Sequence, residues 1–116
     1  ALGCAQLENL DRYVADKRET AACYAEFFKG KEDITFFTEP ADCKSNYWLN
    51  AVVLKDKAAQ LDFLEYTNDH GVMTRPVWEL MNRLPMFEHC ETDGLENTEC
   101  LAARVVNIPS SVRLEN

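Results

Sequence analysis

A chain of 116 residues has the length of one domain, and its 47% apolar and 28% charged residues are ordinary for a soluble globular fold. Twelve Lys and Arg against twenty Asp and Glu leave a net charge of −8. That argues against non-specific binding to nucleic acid or to an anionic membrane, because both need a basic surface. No apolar run approaches the roughly 20 residues of a membrane span, and Ala1 to Leu10 has no basic n-region of a secretory signal.

Leu2, Ala5, Leu10, Tyr13, Ala21, Tyr24 and Phe28 recur near the helical period, with Leu7 and Val14 beside the stripe. This predicts one amphipathic helix of about 28 residues ending at Gly30 as a left-handed cap. With no capping residue ahead of Ala1, the helix reads as a strut in a piece cut from a longer chain. Ile34–Thr38 is β-branched and aromatic and is stopped by Pro40, so it reads as a strand. After a loop at residues 41–45, Asn46–Leu54 is expected to be the second and best strand, pairing antiparallel with the first. Asp56 is a good N-cap for a helix from Lys57 to about Asp69, closed by His70 and a left-handed Gly71. Val72–Thr74 then reads as a short third strand. Pro76 suits the first turn of a short helix over residues 77–84, which Pro85 ends. Residues 88–94 form an acidic loop, and Thr92 or Asp93 caps a last helix from Leu95 to Val106. Residues 107–111 break it, and Val112–Asn116 is expected to be loosely ordered. The order predicts an α+β fold of two layers: a three-stranded antiparallel sheet packed with helices and preceded by a long N-terminal helix. Residues 1–30 are then a linking helix and residues 31–116 the small domain proper.

The five cysteines are an odd number with no CxxC pair, which is a poor disulfide framework. Cys4, Cys23, Cys43, Cys90 and Cys100 are read as reduced, small apolar fillers in a cytoplasmic compartment. A zinc site from His89, Cys90, Cys100 and Cys43 would put two adjacent residues on one tetrahedral ion, and a catalytic Cys–His pair lacks an orienting third group. Glu88, Glu91, Asp93, Glu96 and Glu99 look like a solvated face around a helix start. No Gly-rich phosphate loop or nucleophile elbow occurs.

The segment GVMTRPVWELMNRLPMF, residues 71–87, is less bland. It sets Arg75, Arg83, Trp78 and Asn82 around a Gly–Pro corner. Trp78 and Met81 can be core, with Arg75 covering an edge. Alternatively the arginine fork meets a phosphate or carboxylate. ALGCAQLENLDRYVADKR, SNYWLNAVVL, HGVMTRPVWELMNRLPMF and ARVVNIPSS, in that order over nearly the whole chain, resemble the C-terminal part of the DegT/DnrJ/EryC1/StrS sugar aminotransferases. The likeness is nearest to the branch making 4-amino sugars, as in legionaminic acid or bacillosamine pathways.

The resemblance implies a large fold-type-I domain, outside these residues, that holds pyridoxal phosphate through a lysine, followed by the small domain seen here. Lys29, Lys31, Lys44, Lys55 and Lys57 read as solvated surface lysines, so the piece alone is expected to be inactive and to carry no cofactor. It further implies a homodimer, a nucleotide-sugar substrate, and a substrate mouth lined by Thr74, Arg75 and Trp78. Many relatives have His where Asn82 stands; Asn can hydrogen-bond there but cannot titrate. Some have His at the place of Trp48, so Trp48 is read as core. A different class of function also fits these residues: a stand-alone α+β module that binds a protein partner through a helix face.

Overall fold

The computed structural model describes residues 2–113. Its N-terminal helix is two helices, α1 (Leu2–Leu7) and α2 (Leu10–Phe28). Asn9 divides them. Its side-chain amide donates to the Ala5 carbonyl (3.0 Å), the acceptor its own backbone N–H would need, and that N–H bonds Gln6 instead. At the far end Gly30, at φ 74°, is not a helix cap. Lys29 has φ −59° and ψ 129°, and Lys31 N–H closes onto the Phe28 carbonyl. That is a type II turn, which requires a residue such as glycine at its third position.

Four strands follow, one more than expected: β1 (Ile34–Phe36), β2 (Asn50–Leu54), β3 (Arg75–Pro76) and β4 (Val105–Ile108). All pair antiparallel in the order β1-β2-β4-β3. The fourth strand lies where the end of a helix was expected. Helix α4 (Glu96–Ala102) stops early, because Val105, Val106 and Ile108 are β-branched and Ile108 precedes Pro109, which biases it to extended backbone. Leu95, at φ 55°, starts α4 without a side-chain cap, so neither Thr92 nor Asp93 caps it. β2 begins at Asn50 rather than Asn46. Ser45 Oγ accepts from Tyr47 N–H, Asn46 Oδ1 accepts from Trp48 N–H (both 3.0 Å), and Tyr47 takes φ 46°, turns that no strand tolerates. Residues 72–74 are no strand either; pairing starts at Arg75, opposite Asn107. Pro76 is in that edge strand, where its missing N–H costs nothing. The helix expected over residues 77–84 shrinks to a single 3₁₀ turn, Met81–Arg83, between extended Leu80 and Leu84.

Helix α3 (Lys57–Asp69) matches its reading. Asp56 accepts from Ala59 N–H. Gly71, at φ 77°, closes a Schellman motif through Val72 N–H to Thr67 O and Gly71 N–H to Asn68 O. The core is Phe36, Val52, Leu54, Val106 and Ile108 on one sheet face. Ala21, Tyr24 and Phe28 of α2 and Ala59, Phe63 and Leu64 of α3 pack against it. The alternate positions, Thr35, Ala51, Val53, Arg75, Val105 and Asn107, point to the other face and are half-buried or exposed. All five cysteines are exposed, so none fills the core: Cys4 and Cys23 lie on outer helix surface, and the others lie in loops or on α4. At the C-terminal end Arg113 is clasped by Asp16 (2.9 Å) and Glu19 (2.6 Å), against the loose ordering expected there; residues 114–116 lie outside the described residues.

Gln60 is fully buried. Its Nε2 donates to the Ala102 (3.0 Å) and Val105 (2.8 Å) carbonyls and so ties α3 to the α4–β4 corner. Gln60→Leu strands both carbonyls, and an unpaired buried acceptor costs about 1–3 kcal/mol. Urea unfolding is expected to show a loss of about 2–4 kcal/mol for this variant; a loss under about 1 kcal/mol would mean that solvent reaches the corner.

Candidate functional site

The helices cover one sheet face, so the chemistry-bearing side chains of residues 71–87 gather at the edge strand and beyond it. Thr74 is 2% exposed. Its hydroxyl bonds Thr67 Oγ1 (2.6 Å) and Asn68 Nδ2 (3.0 Å), so it is locked onto α3 and does not open toward solvent. Its effect is on Arg75, the next residue, whose backbone it anchors. Arg75 is exposed on β3, and its guanidinium makes no hydrogen bond or ion pair among the described residues.

Trp78 is 70% exposed and Met81 61% exposed, so neither is core in this chain. Trp48 is 64% exposed and stacks on Trp78 with centroids 6.3 Å apart and an interplanar angle of 19°. The two indoles come from segments 30 residues apart in sequence. Sequence reasoning placed Trp48 in the core and missed this pair; the strained Tyr47 turn, which carries Trp48 outward, left no pattern in the hydrophobic period. Asn82 is half-buried. It lines a cavity of about 820 Å³ with Leu80, Met81, Phe87, Glu91 and Asp93, separate from the neighbouring hollow of about 390 Å³ that Trp78 borders with Lys57 and Arg83. The four expected site residues therefore divide: Arg75 and Trp78 are exposed at the sheet edge, Asn82 lines the mostly apolar cavity beside Leu80 and Phe87, and Thr74 faces inward.

Trp48 is held from behind by helix α2. Lys17 Nζ donates to the carbonyls of Trp48 and Ser110. Arg18 makes a two-pronged bond to Glu39 (2.6 and 3.0 Å) and lies over the Tyr47 ring. Glu39 also accepts from Ser45 N–H, and Tyr47 OH accepts from Glu39 N–H (3.0 Å). Loop 39–48 is thus tied to one turn of α2.

Pyridoxal phosphate needs a lysine able to act as a nucleophile. Lys17, half-buried, is spent on two carbonyls, and Lys29, Lys31, Lys44, Lys55 and Lys57 are exposed. The described residues do not fit that cofactor by themselves. Among them no group of three His, Cys, Asp or Glu is arranged to hold a metal ion, and no helix is long and apolar enough to cross a membrane.

Comparison with known proteins gives these features a context. A profile described as the DegT/DnrJ/EryC1/StrS aminotransferase family matches residues 1–116. GDP-perosamine synthase of Escherichia coli O157:H7 is 27% identical over 116 residues, all of this chain but 31% of that protein. Among solved structures, the aminotransferase TlmJ from Streptoalloteichus hindustanus superposes with a TM-score of 0.86 at 22% identity, over 98% of this chain and 30% of its own. Helicobacter pylori PseC, an aminotransferase involved in the biosynthesis of pseudoaminic acid, gives 0.86 at 19% identity, over 98% and 32%. The chain thus spans about a third of the length of the relatives it matches.

The Arg18 bonds and the Ser45 amide hold the Glu39 carboxyl at about 2, below its usual 4.5. A carboxyl lowered on folding contributes stability that is complete above its unfolded value and is lost as pH falls through the folded one. The clasp is therefore expected to weaken between pH 4.5 and about 2. Thermal melts from neutral to acid pH should show a shallower acid limb for Glu39→Gln than for wild type. Some limb remains, because hydrogen bonds from Arg113 lower Asp16 in the same direction. Parallel limbs for the two proteins would show that the clasp adds nothing.

Proposed function

Because this chain belongs to the DegT/DnrJ/EryC1/StrS aminotransferase family, we propose that it is the C-terminal small domain of a pyridoxal phosphate-dependent enzyme. That enzyme moves an amino group, from glutamate, onto a 4-keto nucleotide sugar in amino-sugar and polysaccharide biosynthesis. The observation that carries the reading is the match of one family along all 116 residues at about a third of its relatives' length. The remaining length is then the large domain, with residues 1–30, which carry α1 and α2, as the joining segment. The assembly is a cytoplasmic homodimer, engaging neither nucleic acid nor membrane. A relative named as a GDP-perosamine synthase supports the sugar class; the legionaminic acid or bacillosamine type of product is the finer form of the same reading.

When bound in the large domain, the cofactor supplies the electron sink for amino transfer. The residues of this chain bind and orient. Thr74, fixed to Thr67 and Asn68, sets the backbone from which Arg75 projects. Arg75 offers a planar fork to an anionic group of the substrate. Trp78, backed by Trp48, gives a flat apolar wall, and Asn82 gives a hydrogen bond that does not titrate.

Steady-state transamination by the full-length enzyme tests the assignment. Arg75→Ala is expected to lower kcat/KM about ten- to hundredfold, the worth of a hydrogen bond to a charged group. Arg75→Lys should recover part of it, since a point charge replaces a fork imperfectly. Asn82→Ala should cost about 1 kcal/mol, roughly fivefold. An Arg75→Ala enzyme within about twofold of wild type but with a lowered melting point would make Arg75 a structural edge cover.

A further inference from the structure

Arg75 and Asn107 are direct partners across the β3–β4 ladder, and Asn107 in turn faces Ala51 on β2. In an antiparallel pair, side chains directly opposite share a face with their Cβ atoms roughly 4.5–5.5 Å apart. The row Arg75–Asn107–Ala51 therefore crosses the sheet on the face that α2 and α3 leave uncovered. On the covered side Asn50 Nδ2 donates to Ser110, Gln60 to two carbonyls, and Thr74 is bonded to α3, while the Asn50 Oδ1 atom is buried without a partner. Neither Asn107 nor Arg75 has a side-chain hydrogen bond among the described residues. Among the other arginines, Arg18, Arg83 and Arg113 have carboxylate partners, Arg104 donates to the Leu54 carbonyl, and Arg12 lies over Tyr13. Among the described residues Arg75 and Arg12 are the arginines with no hydrogen bond or ion pair, and Arg75 is the one on the sheet. Ala51, with only a methyl group beside Asn107, lines a hollow of about 270 Å³ with Phe37, Tyr47 and Leu49.

We propose that Asn107 and Arg75 form a two-residue cradle for anionic oxygens, phosphate or carboxylate, on the open sheet face. Asn107 is thereby a substrate-contacting residue in addition to those named above. This rests on the aminotransferase reading, and it deepens that reading by adding a specificity residue. Arg75 supplies two parallel N–H donors and Asn107 Nδ2 a third. Three donors suit a tetrahedral phosphoryl group or one end of a dicarboxylate. On a chain of net charge −8, such a local set of donors is what lets an anion settle there. Two parts of the reaction carry such oxygens: the diphosphate of the nucleotide sugar and the carboxylates of the amino donor.

Calorimetric titration of the full-length enzyme with UDP, GDP and 2-oxoglutarate separates the two. Asn107→Ala should weaken one class of probe about tenfold, the lower end for a hydrogen bond to a charge. Asn107→Asp, the same shape with a repelling charge, should weaken it at least as much. The Arg75→Ala, Asn107→Ala double variant should lose less than the product of the single losses, as coupled partners do. Thr35→Ala, on the same face two strands away, should bind as wild type. A loss confined to UDP or GDP assigns the cradle to the diphosphate, and one confined to 2-oxoglutarate assigns it to the amino donor. Wild-type affinity for all three probes in both Asn107 variants overturns the cradle, as does a wild type that binds none of them. An enzyme that transaminates no nucleotide sugar while its probe binding still depends on Asn107 overturns the proposed reaction and leaves the cradle standing.

Discussion

Val52 and Val106, both fully buried and directly paired across β2 and β4, are the contact on which the remaining structure depends. They join residues from the middle of the chain to residues near its end. Because β4 lies between β2 and β3, it also carries the edge strand and thus Arg75. A side chain turned inward at Val52 or Val106 meets α2 and α3; its neighbours along either strand turn outward. One pairing therefore sets both what is core and what is left open.

What is left open is large. The chain exposes 8909 Å², against roughly 6,500 Å² for a compact monomer of its mass. Its radius of gyration is 16.7 Å, against about 13 Å for a compact domain of 100 residues. Leu2, Leu7, Phe27, Phe37, Trp48 and Trp78 each expose 60% or more of their surface, well beyond the scattered apolar residues of an ordinary monomer. Only six apolar residues are buried among those described. A domain with a core this small and a bare sheet face fits the proposal that it folds against a larger unit, and an active site between the two would give Arg75, Asn107 and Trp78 their place.

The parts of the fold legible in the sequence were those with local chemical causes. Asp56 and Gly71 mark α3 because a carboxylate cap and a left-handed glycine act within a few residues. Ile34–Phe36 and Asn50–Leu54 were legible from their β-branched content. Asn9 was not, because an amide that breaks a helix by bonding its own previous turn leaves the hydrophobic period intact. Strand β4 was hidden by continuity with α4, although Ile108 before Pro109 was an available signal. The site divides in the same way. Arg75 stood out at its Gly–Pro corner, whereas Trp48 and Asn107 owe their positions to a strained turn and to strand register, which are long-range properties. The cysteines were misread because small apolar residues were assigned to a core that turned out to have few places.

The central claim is that the open sheet face, together with the exposed aromatic residues at its edges, is an internal surface of the complete enzyme. Hydroxyl-radical footprinting of the full-length protein and of residues 1–116 alone tests it most directly, read by mass spectrometry at Trp48, Trp78 and Phe37. The account predicts strong oxidation of all three in the short chain and marked protection in the full-length protein, while Tyr66, on the outer side of α3 and 65% exposed, reacts alike in both. Equal oxidation of Trp48, Trp78 and Phe37 in the two proteins would contradict it.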